Sequence, residues 1–339
     1  MNSHKKTILV TGGAGYIGSV LVRLLLEKGY KVRILDKLIF TEAPLNDIKN
    51  EIEMVNSDIR EVGPEIMNGV NAVIHLAGFA TEPTSQYNPR YTDLVNHIAT
   101  ERLAKMAKGK GVERFIFASS CSVYFTYNTP LNPIPSKEAD KVNPISPYSL
   151  SKRAAEQAIL ELADEKFQPI IFRKGTIFGL SPRMRYDLVL NSFTKDAFSK
   201  RNLTVSCGGQ VCRPLADIHD IVWAYTKALE MSLDKIGGKI FNVCSENWNI
   251  GELAKEVQRI LREKKGIEVT IDIQPVGITR NYRADNSLFR ETFQFTPSRT
   301  LEEAILEIWS HLEKHPEDVS NPIFYNDKWE IHLLEAGLL

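Results

Sequence analysis

TGGAGYIG, at residues 11–18, decides the fold of this chain of 339 residues. The stretch follows a short β-branched segment and precedes one with helical periodicity, which predicts a strand, a tight turn and a helix in that order. Its glycines permit the turn, close approach of the backbone to a pyrophosphate, and close packing of helix on strand. A tight turn without a ligand is the alternative interpretation. The residues expected to hold a dinucleotide here are Gly12, Gly15, Tyr16, Ile17 and Gly18.

Short β-branched segments alternate with helical ones along the first half of the chain. This alternation favours a parallel sheet with helices on both faces, the doubly wound, Rossmann-type α/β arrangement. The expected strands are Lys6–Thr11, Lys31–Asp36, Ile52–Asn56, Ala72–Leu76, Phe115–Ser119 and Pro169–Arg173, and the expected helices are Tyr16–Lys28, Pro89–Lys108 and Pro147–Glu165.

The second half of the chain is less regular after Gly175. Its expected elements are helices at Ile218–Met231, Ile250–Lys264 and Leu301–Lys314 and a strand at Lys239–Val243 that could rejoin the main sheet. We expect a smaller, discontinuous α/β lobe that closes over the carboxyl edge of the sheet. The predicted division is a dinucleotide-binding domain at 1–174 that 217–246 rejoins, a substrate lobe at 175–216 and 247–319, and a tail at 320–339 without an assigned role.

Lysine plus arginine and aspartate plus glutamate each number 42, so no net field attracts nucleic acid or anionic lipid. No segment is apolar and long enough to suggest a membrane span, and we expect no signal peptide in the first residues. The four cysteines lie far apart without metal-ligand spacing, which indicates reduced thiols in the cytoplasm and no metal site. A phosphate-bearing ligand must therefore be bound by a helix N-terminus or by a few placed arginines.

Asp36 ends the second expected strand, where an acidic side chain accepts hydrogen bonds from the adenosine ribose. A carboxylate there repels a 2′-phosphate, which favours NAD over NADP. A solvated aspartate at a strand end is the alternative. Asp58 and Ile59 follow the third strand and could lie near the adenine, although an ordinary loop aspartate is an equal interpretation.

Tyr148 and Lys152 lie four residues apart in YSLSK at an expected helix start, so both project from one face. A free phenol has a pKa near ~10, and we expect the neighbouring ammonium to lower it and make Tyr148 an acid/base near neutral pH. The preceding strand ends in FIFASSCSVY, which brings Ser119, Ser120 and Ser122 to the ligand crevice. Taken alone, a tyrosine and a lysine four residues apart would be ordinary surface residues. The serines could also serve only to cap the end of the strand.

With the glycine turn, SSCSVY and YSLSK in this order, the chain resembles the extended short-chain dehydrogenase/reductases, the NAD-dependent sugar-nucleotide epimerase/dehydratase family. The likeness runs to about Arg290. It implies that Tyr148 is the catalytic acid/base, that Lys152 binds the cofactor, and that Ser120 bonds the reacting oxygen. Further cofactor contacts are implied for Leu76, Ala77, Gly78, Asn96 and Ser119. For Asn96, a buried amide that caps the backbone is the alternative interpretation.

The resemblance also implies a nucleotide-diphosphate sugar as substrate. Arg213, in CRPLADIHD, resembles the arginine that contacts the diphosphate, and two arginines of TRNYRAD occupy a similar late position. Solvated surface arginines are the alternative. Thr176 stands where many members carry asparagine, and Phe125 replaces a common glycine, so the substrate contacts are expected to be unusual. The expected substrate-binding residues are Thr81, Ser120, Ser122, Thr176, Arg185, Arg213, Arg280 and Arg283.

Members of this family first transfer a hydride from a sugar carbon, usually C4, to NAD. The 4,6-dehydratases carry Asp-Glu after the hydroxyl residue and the decarboxylases favour a glutamate, whereas this chain has Cys121 and Ser122. An epimerase acting through a transient 4-keto sugar is the favoured reading. A net 4-dehydrogenase/reductase stays open, because SPRMRYDLVLN resembles nucleotide-heptose 4-dehydrogenases, while a 4,6-dehydratase or a non-catalytic NAD sensor is less favoured. The resemblance implies a homodimer formed through the two helices that flank the active-site strand.

Overall fold

The computed structural model describes residues 5–125, 133–275 and 280–339. The strands in these ranges are β1 (Thr7–Thr11), β2 (Lys31–Asp36), β3 (Ile52–Asn56), β4 (Val70–His75), β5 (Arg114–Ser120), β6 (Gln168–Lys174), β7 (Thr176–Phe178), β8 (Asn202–Val205), β9 (Cys212–Asp217), β10 (Ile240–Val243), β11 (Glu246–Asn249) and β12 (Thr270–Ile273). Seven of them form one parallel sheet in the order β10-β6-β5-β4-β1-β2-β3. This order confirms the predicted doubly wound, Rossmann-type architecture.

The helices of the described residues lie on both faces of this sheet and in a smaller assembly that follows β6. They are α1 (Tyr16–Glu27), α2 (Glu82–Tyr87), α3 (Pro89–Asp93), α4 (Ala99–Gly109), α5 (Pro147–Glu161), α6 (Val189–Lys200), α7 (Ile218–Glu230), α8 (Leu233–Ile236), α9 (Ile250–Lys265), α10 (Ser287–Phe293), α11 (Leu301–Lys314) and α12 (Asn326–Glu335). One apolar core packs α1 and α7 against the sheet through residues such as Leu21 and Tyr225. A second core packs α4 and α5 on the other face through Leu103 and Ile159.

A smaller assembly of elements follows β6. It contains a three-stranded sheet in the order β11-β9-β7 and a two-stranded sheet of β12 and β8. Its separate core is formed by α6, α9 and α11, where Phe193, Val257 and Ile305 are buried. Between these segments the chain returns to the main sheet, because β10 pairs in parallel with β6 at Ile240 and Ile171. The carboxyl end of β6 therefore lies where the two parts of the molecule meet.

Two helices differ from the sequence prediction. The helix expected at Pro89–Lys108 is divided, since α3 passes through a π turn at Leu94–Ile98 before α4 begins. The tail, which carried no assignment, forms α12 and packs against α2. None of the helices among the described residues combines the length and the apolarity that a membrane crossing requires.

A buried ion pair joins β6 to α5 beneath the carboxyl edge of the sheet. Arg173 donates from Nε to Glu156 at 2.9 Å and from Nη2 at 2.8 Å, and both side chains are buried. Glu156 also accepts a 2.5 Å hydrogen bond from the Ser119 hydroxyl. Because two charges in a dry interior are stable only when paired and hydrogen bonded, this network fixes the strand end that carries Ser119 relative to α5.

Candidate active site

The turn between β1 and α1 is shaped to receive a ligand against its backbone. Gly12 has a φ of +72°, and a Cβ there would lie 2.8 Å from the backbone nitrogen of Ala77. A Cβ on Gly18 would lie 2.2 Å from the carbonyl oxygen of Gly12. Neither position can hold a larger residue, so the N-terminus of α1 stays close to β1, and its first residues line the cavity.

Asp36 stands beside this turn at the end of β2. Its Oδ2 accepts a 2.9 Å hydrogen bond from the Ala14 amide, and its Oδ1 accepts one of 2.8 Å from the Leu38 amide. Burial raises the pKa of this carboxyl, and the two amide donors oppose the rise. The carboxylate is thus held at the turn by the backbone, in the place where the sequence predicted a ribose contact.

Asp58 is bound by cations. It forms ion pairs with Arg60 at 2.7 Å and with Lys37 at 3.1 Å. Partial burial raises its pKa, but the hydrogen bonds from Arg60 and Lys37 outweigh this and lower the pKa to about 2. The carboxylate is therefore charged at neutral pH, and its oxygens are engaged by side chains rather than directed freely at a ligand.

One large cavity, of about 620 Å³, runs from the glycine turn to the carboxyl ends of β5 and β6. Most residues predicted to bind a ligand line it. They are Gly12, Gly15, Tyr16, Ile17, Gly18, Asp36, Asp58, Ile59, Leu76, Ala77, Gly78, Thr81, Ser119, Ser120, Tyr148, Thr176, Arg185, Arg213 and Arg280. Their spread over the whole sequence shows that the cavity is a product of the tertiary fold.

Tyr148 lies at the reactive end of this cavity, on the first turn of α5. The helix begins there because Ser146 caps it by accepting from the Ser149 amide, with Pro147 at the first position. Burial raises the pKa of the Tyr148 phenol to about 12, and a side-chain hydrogen bond with Ser120 opposes the rise. The expectation that Lys152 lowers this pKa is wrong, because Lys152 is not among the groups that shift it and burial dominates.

The Lys152 side chain does not accompany the Tyr148 phenol, although their helical spacing predicted that both would project from one face of α5. Its Nζ lies 4.9 Å from the centroid of the Phe117 ring. It also lies 3.6 Å from the position of a Cβ on Gly78, which lines the cavity, although Lys152 itself does not. Burial lowers the pKa of Lys152 to about 8, and the Glu156 carboxylate opposes this. The ammonium is thus close to the cavity wall, in a place where a hydroxyl near Gly78 could contact it.

The cationic residues from the second half of the chain converge on the same cavity. Arg185 is buried and paired with Asp187 through both Nε and Nη2. Arg213 lies over the ring of Tyr282, with 5.1 Å between its Cζ and the centroid. Arg280 lies 3.5 Å from the Glu82 carboxylate. Arginines held in this way are preorganised for phosphate or carboxylate groups.

Besides Lys152, three predicted site residues do not line the cavity. Asn96 accepts from the Phe79 amide and donates to the Phe79 carbonyl, so its amide braces the backbone, as the alternative interpretation had it. Ser122 is buried in the 3₁₀ turn Cys121–Tyr124. Arg283 contributes its carbonyl to the Ser136 amide and also lies outside the cavity lining. Val95, Ser120 and Tyr282, which lie one or two positions away from them in sequence, do line the cavity.

Several cavity residues escaped the sequence prediction. Glu82, on α2, accepts a 2.8 Å hydrogen bond from Ser146 and lies near enough to Tyr148 to raise the pKa of the phenol. Lys174 ends β6. Glu330 comes from α12, and burial raises its pKa to about 7 although Thr84 donates to it at 2.7 Å. Nothing in a lone acid or lysine of the sequence marks it as a site residue.

The C-terminal segment joins two walls of the cavity. Trp329 donates from Nε1 to the Ile39 carbonyl at 2.6 Å, which ties α12 to the loop after β2. Arg183 lies 3.5 Å above the ring centroid of Phe40 and donates to Asn326. Through Glu330 and Thr84 the same helix reaches the first turn of α2. The tail is therefore part of the site.

A doubly wound sheet with a glycine turn at one end of the cavity and a serine-bonded tyrosine at the other defines a dinucleotide-dependent enzyme. The model of the NAD dependent epimerase/dehydratase family matches residues 8–244, and the chain belongs to this family. NAD is accordingly its cofactor. Two features fit this cofactor. They are the turn between β1 and α1, where a Cβ on Gly12 or Gly18 would clash with the backbone, and the Asp36 carboxylate beside it.

Relatives of known or assigned activity are nucleotide-sugar enzymes by name. A putative UDP-glucose 4-epimerase of Methanocaldococcus jannaschii is 40% identical over 228 residues, which are 66% of this chain and 73% of that protein. The UDP-N-acetyl-alpha-D-glucosaminuronate decarboxylase of Bacillus cytotoxicus is 26% identical over 315 residues, 89% of this chain and 96% of that one. The structure of UDP-glucose 4-epimerase from Thermotoga maritima with UDP-glucose has a TM-score of 0.78 and 25% identity, covering 91% of this chain and 99% of that chain.

Proposed function

We propose that the protein is an NAD-dependent nucleotide-sugar epimerase that acts through a transient 4-keto sugar. The observation that carries the proposal is the Tyr148–Ser120 pair at the reactive end of the cavity, without an added acid on the turn that follows. Cys121 and Ser122, which stand where dehydratases and decarboxylases carry acids, are buried and do not line the cavity. The named epimerases among the relatives support the same reaction.

Tyr148 is the proton-transfer group of this mechanism. Ser120 hydrogen bonds the phenol and orients the sugar hydroxyl, which then loses its proton to Tyr148 as the C4 hydride departs. NAD supplies the hydride acceptor. Because burial holds the phenol in its protonated form, the basic state must be favoured by positive charge introduced with the ligands. To complete an inversion, the keto sugar would have to rotate in the cavity so that its other face is presented to the cofactor, and Tyr148 would then return the proton to the C4 oxygen.

Lys152 and the backbone of the turn hold the cofactor in this proposal. The Lys152 ammonium would contact ribose hydroxyls beside Gly78, and the N-terminus of α1 would bind the pyrophosphate. Arg213 and Arg280 would bind the nucleotide diphosphate of the sugar. Segments 175–216 and 247–319, which contribute these arginines, form the substrate lobe, and 1–174 with 217–246 form the NAD-binding domain.

The tail favours an epimerase over a net dehydrogenase. A cofactor that regains its oxidised form in each turnover need not leave, and α12 ties the loop after β2 to α2 across the cavity that would hold it. A dehydrogenase must release NADH each cycle, which these contacts would slow.

The test is incubation of the purified protein with UDP-, GDP-, CDP- and dTDP-sugars, followed by NMR in deuterium oxide. We expect two sugar nucleotides to interconvert without solvent deuterium at the inverted carbon, because the same hydride leaves and returns. Stoichiometric NADH with a keto sugar would instead identify a 4-dehydrogenase. Deuterium entering next to the former C4 carbonyl, with loss of a hydroxyl, would identify a dehydratase.

We also propose that the protein forms a homodimer in the cytoplasm. Apolar side chains are exposed on the π turn after α3 and on α5, with Leu94 39% exposed, Ile98 44% and Leu150 49%. A cluster of this kind on two packed helices is typical of a self-association surface. The four cysteines are unpaired, as reducing conditions would keep them.

Ile98→Glu should convert this dimer to a monomer. Wild-type protein is expected to have twice the chain mass of 38.3 kDa by light scattering, and the variant the single mass, because a buried charge opposes association. Leu288→Glu, at an equally exposed leucine outside the cluster, is the control that should remain dimeric. A wild-type monomer, or equal masses for wild type and Ile98→Glu, would contradict the assignment.

A further inference from the structure

Lys174 is placed beside the reacting groups by the register of the main sheet. It is paired with Ser120 across β5 and β6, and with Val243 across β6 and β10. Neighbouring strands lie about 4.8 Å apart, so the backbone of Lys174 directly flanks that of Ser120. Both residues line the cavity together with Tyr148 and Thr176. A cation therefore borders the reactive end of the site.

The Lys174 ammonium has no hydrogen bond or ion pair with any residue in the described parts of the chain, in contrast to Arg185, which is paired with Asp187. Its charged neighbours are cations. Burial, followed by the positive charges of Lys152 and Arg185, lowers the pKa of Lys174 to about 7. A half-buried cation among other cations is costly unless an anion accompanies it, so this end of the cavity is electrostatically prepared for a negative group.

The anionic groups that already have a place in the cavity do not supply the negative charge that Lys174 requires. The cofactor pyrophosphate is placed at the glycine turn, and the nucleotide diphosphate is assigned to Arg213 and Arg280. The carboxylate near Tyr148, Glu82, is occupied by Ser146 and Arg280, and it is not among the charges that shift the pKa of Lys174. What remains beside Ser120 is the sugar ring itself.

We propose that Lys174 binds a carboxylate carried by the sugar, and that the substrates of this enzyme are nucleotide-linked uronates. The inference rests on the proposed function, because it uses the seat of the sugar beside Ser120 and Tyr148. A lysine is suited to this task, since its ammonium can reach the carboxylate of a ring that rotates within the site, where a rigid bidentate arginine would hold one orientation. Charge-assisted hydrogen bonds of this kind are strong when water is excluded.

The test is calorimetric binding to NAD-loaded protein with two matched ligand pairs, UDP-glucuronate against UDP-glucose and GDP-mannuronate against GDP-mannose. In at least one pair the uronate should bind about 10- to 100-fold more tightly to the wild type. Lys174→Met should abolish that preference while changing the affinity for the neutral sugar less than about threefold. Lys174→Arg, which keeps the charge, should retain most of the preference, and Lys255→Met, on the exposed face of α9, should be unchanged.

Equal affinities within both pairs in the wild type, including failure of every ligand to bind, would overturn the proposal. So would a Lys174→Met variant that weakens the charged and neutral ligands equally, because that result would describe a structural residue. Since binding does not require turnover, these outcomes are separate from those of the epimerase assay. Epimerisation of neutral sugars without a uronate preference would remove only the role of Lys174, whereas a uronate preference without epimerisation would remove only the reaction.

Discussion

Replacement of Tyr148 by phenylalanine is expected to lower kcat by about 10²- to 10⁴-fold, the usual contribution of a positioned general acid/base. The phenol hydroxyl is the proposed proton acceptor, it hydrogen bonds Ser120, and it lies in the cavity. Because the ring remains, packing at the start of α5 and binding of NAD should be preserved. Steady-state kinetics with the substrate pair found by NMR, together with bound NAD measured by absorbance, would check both expectations.

Tyr225→Phe is the matched control for this experiment. Tyr225 is also a buried tyrosine, and its hydroxyl has no hydrogen-bond partner among the described residues. Removing an unpartnered buried hydroxyl should leave turnover within about twofold of the wild type and should not lower stability. Full activity in Tyr148→Phe, with intact NAD binding, would remove the proposed chemistry.

Glu156→Ala is expected to lower the free energy of unfolding by about 3–5 kcal/mol, the cost of leaving one partner of a buried ion pair uncompensated. Arg173 is 1% exposed and Glu156 is 0% exposed, so the guanidinium would stay in the interior without its counter-charge. The Tyr124 hydroxyl, which accepts from Arg173 at 2.9 Å, cannot replace a carboxylate. Urea denaturation followed by circular dichroism would measure the change.

Two further variants separate the buried pair from ordinary surface charges. Glu263→Ala removes an exposed partner of Arg259 on α9 and should cost less than about 1 kcal/mol. The double variant Glu156→Met with Arg173→Met removes both charges and should recover much of the stability lost in Glu156→Ala. A single variant as stable as Glu263→Ala would show that water or other groups compensate Arg173.

Much of the architecture could be predicted because strands, tight turns and helix starts each depend on the types and spacing of residues close together in the chain. The strands at Lys31–Asp36 and Ile52–Asn56 and the helix start at Tyr16 follow from β-branched runs and from glycines. The helix at Pro89–Lys108 was predicted as continuous because the π turn at Leu94–Ile98 contains no proline or glycine that would mark an interruption.

Side-chain environments were less predictable. Helical spacing placed Tyr148 and Lys152 on one face, yet the phenol is bonded to Ser120 and the ammonium lies over Phe117. The pKa of the phenol consequently depends on burial, which the spacing of two residues does not encode. Asn96 faces the Phe79 backbone for a similar reason, since only the packed fold determines what an amide meets.

The sequence by itself determined the glycine turn, the acid at the end of β2 and the tyrosine at the start of α5, because each depends on contacts between residues close in the chain or on a recurring strand-turn-helix unit. The tertiary structure alone decided that Lys174 flanks Ser120, that Glu82 approaches Tyr148, and that α12 closes part of the cavity. These juxtapositions join residues tens to hundreds of positions apart. They arise from strand order and packing, which local periodicity does not specify.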